Sequence, residues 1–461
     1  MITNLKPYPA YKDSGVEWLG KVPKHWEVVR LGALLRERNE TNEKGEVKRV
    51  LSVLRGRGVV PYEEKGNVGN KKSDDITRYK IVYFGDIVLN SMNVIIGSVG
   101  ISQYHGCLSP VYYVLTPHYR TDNPLYLNAY FQTKPFQQSL IRLGNGIQAH
   151  RMRIPMELLK SEPFPRPPAK EQADIAKLLD WANRRIRFII AARKKRIQLL
   201  EEYQQTLIND AVTGKFDVRT GKPYPIYKDS GVEWLGKVPE KWQVVRFKRV
   251  ARLAYGDPLP VDTRSEGLIR VFGSNGPVGH HNQANTQAPV IIVGRKGSFG
   301  KVQYSTQPVF AIDTTFYIDR RHTNANLRWL YYLLTQLGLD NSPKDSAIPG
   351  LDREDVYTQP IPLPSLTEQR AIAEYLDRET KKIDAAIEKT KKSIELWEEL
   401  RTTLISDVVT GKYDVRELAE DLPEKEPELE AKIEALEAFL KEKDRQREAA
   451  EFEPEPAEEQ A

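Results

Sequence analysis

One cysteine, Cys107, stands among 461 residues. A single thiol excludes an internal disulfide framework and any metal site built from several cysteines. Histidine is sparse too. The seven residues are scattered apart from His280-His281, with no carboxylate or cysteine at ligand spacing beside them, so the pair reads as part of a polar loop rather than a metal centre. Long apolar runs are also missing. None approaches the roughly 20 residues that span a bilayer, and MITNLKPYPA lacks the hydrophobic region of a signal peptide. A cytoplasmic protein without a membrane partner is expected.

Catalytic motifs are equally scarce. Asn123-Pro124-Leu125-Tyr126 resembles the Asn-Pro-Pro-Tyr loop of amino-methylating DNA methyltransferases but lacks the second proline. Asn326-Leu327-Arg328-Trp329 holds the corresponding place in the second half, which makes Asn123 an ordinary helix start. No glycine-rich turn suited to S-adenosylmethionine accompanies it. The segment from Gly294 to Lys301 looks like a phosphate loop, yet its glycine spacing is one residue too long and Val302 replaces the Ser or Thr that would hold Mg²⁺. It reads as a tight turn between strands. No catalysis, and no bound cofactor or metal, is expected of this chain.

Length allows two or three domains, and 40% hydrophobic with 29% charged residues fits a globular protein. Charge is unevenly placed. Residues 417–461 carry 17 acidic and 6 basic side chains, so a net charge of +6 conceals −11 in the tail and +17 in the body. A basic body favours a polyanionic partner through counterion release. Charge alone does not separate that from simple solubility.

The strongest signal is a repeat. Thirteen consecutive residues, Tyr11–Pro23, recur unchanged at Tyr227–Pro239. A second pair, 171–219 and 368–416, aligns without a gap, each member opening on Glu-Gln and closing on VTGKFDVR or VTGKYDVR. The offsets are 216 and 197 residues. The intervening inserts, 31–167 and 247–364, therefore differ in length by 19 residues and share little sequence. A duplicated frame holds two divergent inserts.

Residues 169–209 and 366–406 each read as one long helix. Ile175, Leu179, Ala182, Ile186 and Ile189, continuing to Leu200, Tyr203 and Leu207, approach the alternating steps of a coiled-coil seam. Ile372, Leu376, Ile383, Ala386, Ile394, Trp397, Leu400 and Leu404 do the same in the partner. Ser365 and Glu368 have capping-box spacing, Gly214 and Gly411 sit just past the ends, and proline clusters precede both starts. About 39 residues make a rod of roughly 58 Å. Two seams that each need cover predict an antiparallel pair.

Both inserts read as mixed, strand-rich domains. In the first, 80–91 and 109–117 are β-branched and aromatic runs followed by the helical pattern 124–132. In the second, 289–305, 309–319 and 326–337 repeat the order strand, turn, strand, helix. The tail from Glu417 holds one short amphipathic stretch, Leu429 to Leu440, between Pro- and Glu-rich ends that read as disordered. It reads as a solvated or regulatory appendage, with docking on the basic body or on a partner the alternative.

This arrangement resembles the DNA-specificity subunit of type I restriction–modification systems. The resemblance covers about 1–416 and rests on GVEWLGKVPxxW, on the proline-rich approaches to EQ-x-x-IA-x-x-L, and on the VTGK(F/Y)DVR ends. The acidic tail departs from it. It implies an α/β (α+β) fold: two mixed, strand-rich target-recognition domains separated by two long antiparallel coiled-coil helices with pseudo-two-fold duplication. The boundaries are then domain 1 at 1–167, helix and frame at 168–222, domain 2 at 223–364, the second helix at 365–416, and the tail at 417–461. It further implies double-stranded DNA, two methylating subunits and restriction–translocation subunits as partners. S-adenosylmethionine, ATP and Mg²⁺ would belong to those subunits. The alternatives are a solitary DNA-modifying enzyme and a coiled-coil scaffold.

Base reading calls for Arg, Lys, Asn or Gln on loops that reach a groove. In the first domain the candidates are the glycine-flanked Arg55 and Arg57, with Lys71, Lys72, Asn90, Asn93, Gln148, Arg151 and Arg153. In the second they are Ser274, Asn275, His280, Arg295, Lys296, Ser298 and Lys301. Trp18, Trp26, Trp234 and Trp242 recur with the frame and read as packing anchors.

Overall fold

A computed structural model of the chain describes residues 5–66, 71–144, 153–340 and 350–451. The chain opens with hairpin strands β1 (Tyr11–Asp13) and β2 (Lys21–Pro23), then β3 (Glu27–Arg30). The first insert supplies β4 (Leu35–Glu37), β5 (Leu51–Leu54), β6 (Gly58–Pro61), β7 (Lys80–Val82), β8 (Ile87–Asn90), β9 (Val99–Ile101), β10 (Gly106–Leu108), β11 (Tyr112–Pro117) and α1 (Pro124–Phe131). Strand β12 (Pro163–Arg166) leads into α2 (Ala169–Thr213). The frame recurs as β13 (Tyr227–Asp229), β14 (Lys237–Pro239) and β15 (Gln243–Arg246). The second insert gives β16 (Ala254–Tyr255), β17 (Ile269–Gly273), β18 (Gly276–His281), β19 (Val290–Gly294), β20 (Val302–Ser305), β21 (Phe310–Ala311), β22 (Thr315–Ile318) and α3 (Leu327–Leu334). Strand β23 (Pro360–Leu363) precedes α4 (Leu366–Val409), and α5 (Pro427–Glu451) comes last.

The long helices are real and slightly longer than the seam suggests, at 45 and 44 residues. The capping box before α4 forms: Ser365 Oγ donates to Glu368 Oε2 at 2.8 Å and accepts from the Glu368 amide at 3.3 Å. Both helices end on a left-handed glycine, Gly214 at φ 75° and Gly411 at φ 80°. No side chain could follow there. A Cβ on Gly214 would stand 2.6 Å from Pro239 and 2.9 Å from Trp242, and one on Gly411 would stand 2.4 Å from Pro23 and 3.0 Å from Trp26.

Two compact units share the chain, and their boundary runs through the long helices rather than beside them. One comprises Met1–Lys195 with Lys391–Ala461, the other Arg196–Thr390. In the first unit the opening half of α2 packs against the closing half of α4. Ile175, Leu178, Leu179 and Ala182 share a core with Leu404, Val408 and Val409. Ile189 and Trp397 line the same 670 Å³ groove further along, so the helices of this seam run antiparallel. In the second unit the closing half of α2 (Leu207, Ile208, Ala211, Val212) meets the opening half of α4 (Ile372, Leu376, Ile383, Ile387). Gln204 there donates to Asp384 at 2.9 Å.

The inserts share one topology. Their main sheets have the orders β4-β11-β8-β9 and β16-β22-β19-β20, antiparallel throughout. A second hairpin lies over each sheet, β5–β6 in one and β17–β18 in the other. Alternation along β8 explains why its sequence is apolar throughout. Ile87 and Leu89 face the core shared with Tyr126 and Tyr130 of α1, while Val88 faces Leu51, Val53 and Val59 of the overlying hairpin. Strand β19 repeats this, with Ile291 and Val293 toward α3 and Val290 and Ile292 toward Phe272. Both faces are covered, so both faces must be apolar. The His280-His281 pair is not in a loop: it ends β18, and buried His281 accepts the Ser265 amide at 3.1 Å.

The proline clusters form strands instead of merely ending the inserts. Pro163 and Pro165 alternate with Phe164 and Arg166 in β12, which pairs antiparallel with β3. Pro360 and Pro362 do the same in β23 against β15. In a two-stranded sheet every second residue turns its N–H outward, where proline has none to lose. Phe164 and Ile361 between them are fully buried.

The tail reads differently in the structure, because α5 is docked on α2. Ile433 is fully buried, Arg185 pairs with Glu426, and Arg187 pairs with Glu437. The helix continues well beyond Leu440, through a charged stretch to Glu451. The Pro- and Glu-rich end, 452–461, lies outside the described residues.

Candidate nucleic-acid interface

The Glu-Gln pair that opens each long helix fixes the insert to the frame. In the first unit the buried Glu171 carboxylate accepts from Trp26 Nε1 at 2.9 Å, from the Tyr8 hydroxyl, and faces His25 Nε2 at 2.7 Å. Burial, then the neighbouring carboxylate, pushes the Tyr8 hydroxyl well above its ordinary pKa, so it stays a donor. Gln172 Oε1 accepts the Asn123 amide at 2.8 Å, and its Nε2 donates to the Pro167 carbonyl at 3.0 Å. In the second unit Gln369 makes the same two bonds, to Asn326 and Pro364, at 2.8 and 3.0 Å. Glu368 receives Trp242 Nε1 at 3.3 Å. Asn123 and Asn326 each cap the following helix through their side chains. Both inserts are therefore held by one set of side chains, whatever their loops contain.

The loops that diverge sit at two adjoining hairpin ends. In the first insert, the β5–β6 turn carries exposed Arg55 and Arg57 around Gly56 at φ 74°. Gly58 and Gly100 touch there: a Cβ on Gly100 would come within 2.6 Å of the Gly58 Cα. The β8–β9 loop begins at Asn90, whose Oδ1 accepts the Met92 amide at 3.0 Å, and contains half-buried Asn93. Exposed Arg153 is drawn beside that loop because the Ile154 amide donates to the Ser91 carbonyl at 3.0 Å. Lys71 and Lys72 are exposed, with Lys72 Nζ 5.5 Å from the Tyr62 ring. Arg57 is partly engaged, 3.5 Å from Glu64. Gln148 and Arg151 lie outside the described residues.

The second insert repeats the placement with other side chains. Segment 295–301 is the β19–β20 turn, as the spacing of its glycines suggests, and it presents Arg295, Lys296, Ser298 and Lys301. Lys301 Nζ donates to Asn275 Oδ1 at 2.6 Å, which joins this turn to the β17–β18 turn. The Leu351 amide donates to the Arg295 carbonyl at 2.8 Å, matching the Ile154–Ser91 bond of the first insert. Two candidates stand apart. Ser274 is buried and its hydroxyl donates to the Thr314 carbonyl at 2.6 Å, so it builds the turn. His280 lies at the far end of β18, opposite Arg270, away from the turn cluster.

Sequence reasoning passes over two cation–aromatic clusters, one beside the β19–β20 turn and one in the turn that precedes β8, at the other end of that strand from Asn90. Tyr255, half exposed, lies between Arg295 and Arg353, whose guanidinium carbons are 5.1 and 5.2 Å from its ring. In the first insert Phe84 is 73% exposed next to Tyr83, which is covered by Arg38 at 4.7 Å and stacked on His105 at 4.9 Å. Exposed aromatic residues on short glycine-bounded turns were the available signal. Such surfaces hold phosphates through the cation and bases through the ring. Of the four frame tryptophans, Trp26 and Trp242 are buried. Trp18 leans on Phe136 at 5.7 Å, while Trp234 is 37% exposed and does not act as a buried anchor. Among the described residues no group of three or more His, Cys, Asp or Glu could hold a metal ion, and no helix is long and apolar enough to cross a membrane.

Known proteins share this architecture. The type I restriction modification DNA specificity domain matches residues 239–396. The type I restriction enzyme MjaVIII specificity subunit of Methanocaldococcus jannaschii is 24% identical over 441 residues, 86% of this chain and 95% of that protein. A solved chain from work on complex assembly and conformational transition of the type I R-M system superposes with a TM-score of 0.66 at 16% identity, covering 84% of this chain and 98% of its own. The HsdS subunit of Thermoanaerobacter tengcongensis superposes with a TM-score of 0.50 at 16% identity, covering 87% and 99%.

Proposed function

We infer that this chain, which belongs to the specificity subunits of type I restriction–modification systems, reads a bipartite, asymmetric DNA site through its two inserts. One observation carries the reading: two domains of one topology hang on repeated Glu-Gln contacts while the side chains at their hairpin ends differ. A common mount with different tips is what two half-sites of unlike sequence require. Domain 1 (1–167) reads one half and domain 2 (223–364) the other. Arg55, Arg57, Asn90, Asn93 and Arg153 contact the first half-site, and Asn275, Arg295, Lys296, Ser298 and Lys301 the second. Tyr255 and Arg353 join the latter as backbone and stacking contacts.

The helices of 168–222 and 365–416 set the unread gap. Two methylating subunits dock on the duplicated frame, restriction subunits join the complex, and the assembly works in the cytoplasm. The chain contributes specificity, and the transferred methyl group comes from S-adenosylmethionine held by the methylating subunit. The test is a domain exchange. Replacing 31–167 by the first insert of another family member, then sequencing the methylated sites in cells, should change one half-site and leave the other and the gap intact. Simultaneous change of both halves would sink the two-reader assignment.

A further inference from the structure

The docked tail is not accounted for by the duplicated frame, since nothing in the repeat corresponds to α5. Its seat is the outer face of α2, and that face is strongly basic. Arg185 is bidentate on Glu426, at 2.6 and 2.8 Å. Arg187 pairs with Glu437 at 2.9 and 3.1 Å. Arg184 pairs with Asp180 of its own helix at 3.1 Å and lies 3.8 Å from Glu430; its side chain is 7% exposed and its Nε has no hydrogen-bond partner. Lys195 stands 4.5 Å from the Phe439 ring. Among the described side chains of the helix, Ile433 is the one that is fully buried.

These cations crowd one another. Arg401 is pushed below the ordinary arginine pKa, first by burial and then by the charge of Arg187. An anion is wanted on this surface, and the tail supplies a row of carboxylates. The stretch of α4 at the corresponding repeat positions, 381–392, carries five lysines interspersed with Asp384 and Glu388, whereas 184–195 of α2 carries six cations and no carboxylate. The face of α2 is thus the more basic of the two.

We propose that the Arg184–Lys195 face of α2 is a binding surface for the phosphodiester backbone of duplex DNA, which α5 covers as a detachable acidic mimic. This rests on the DNA-binding function inferred above and adds a regulated, sequence-independent contact to it. The half-exposed Arg–Glu pairs weaken as salt rises, and a row of phosphates offers the same charges in the same place. DNA arriving on α2 displaces α5, and α5 returns when the DNA leaves.

The test compares three forms of the full chain for binding to a random-sequence duplex across a salt titration. Ile433→Glu removes the apolar seat while making the tail more acidic. Glu426→Gln/Glu430→Gln/Glu437→Gln removes the clasping charges. Glu424→Gln/Glu428→Gln/Glu434→Gln neutralises three exposed tail carboxylates outside the clasp. The first two should bind duplex at least about fivefold more tightly at low salt and steepen the log–log salt dependence by about 2 to 3, the signature of two to three extra phosphate contacts. The third should stay within about twofold of the parent, a change too small to signal a gained phosphate contact. Hydrogen exchange at 427–447 in the parent should speed up when duplex is added. Equal gains in the two glutamine triples with none in Ile433→Glu would reduce the effect to net charge and overturn the clasp, as would parent-like binding by the first two variants. If no form binds duplex at any salt, the DNA-binding assignment fails and the clasp falls with it.

Discussion

At the scale of single residues, the side chains with the most to lose are the ones the repeat conserves between its halves without explaining. Gln369 and Gln172 are buried and each satisfies two backbone groups from different segments. Replacing Gln369 by Ala leaves the Asn326 amide and the Pro364 carbonyl without that partner. The expected cost is about 1–3 kcal/mol, the usual penalty for unsatisfied buried polar groups, read as a lower denaturant midpoint. Gln369→Glu should cost a similar amount because it cannot donate to Pro364, whereas a surface change such as Gln307→Ala should not register. Acid stability has its own residues. Arg416 and Arg219 hold Asp414 and Asp217 below the usual aspartate range through their side-chain hydrogen bonds. Depressed folded pKa values contribute stability that is present above the unfolded aspartate pKa and lost as pH falls through the folded one. Stability should therefore begin to fall near pH 4 and continue below it, and the double variant Asp217→Asn/Asp414→Asn should flatten that limb of the pH–stability curve. None of these pairings was legible in the sequence. Glu-Gln and DVR stood out as repeated strings, but a string does not say that Gln172 meets Asn123 across 49 residues.

Elements were more legible than contacts. The seam from Ile175 and the capping pair Ser365–Glu368 marked the long helices because helical period and caps are local properties. The shared order strand, turn, strand, helix marked the inserts for the same reason. What escaped was non-local: the proline strands β12 and β23 needed their partners β3 and β15, and the docking of α5 needed Arg185 and Arg187 to face it. Gly214 and Gly411 show the coupling between elements most directly. Each combines a left-handed backbone with proline and tryptophan packed against its Cα. Gly411→Ala must strain the helix end or push Pro23 aside, at a cost of at least about 1–2 kcal/mol. Its effect should appear as faster hydrogen exchange in residues 5–30, while Gly214→Ala should loosen 224–246. Loosening of the segment next in sequence in both variants would contradict the pairing of Gly411 with the first frame.

For the whole molecule, the long helices are the elements both units share. Four residues inserted in α2 near Arg193 and four in α4 near Thr390 add about 6 Å to each at 1.5 Å per residue, against about 3.4 Å per base pair. Four residues are close to a full turn, so the seams stay in register. The unread gap should grow by one or two base pairs while both half-sites persist, as judged by sequencing of methylated sites. An active protein with an unchanged gap would show that the helices do not set it.

The division of the chain also fixes an order of events during synthesis. The unit Arg196–Thr390 is one continuous stretch, while Met1–Lys195 is completed only by Lys391–Ala461. At about 5–20 residues per second a ribosome takes roughly 10–40 s to cross the intervening segment. Through that interval Trp26 has no Gly411 to pack on, and the first half of α2 has neither α4 nor α5. The domain made first is therefore the one finished last, and a chain cut short after Thr390 carries a complete second unit beside an unfinished first one.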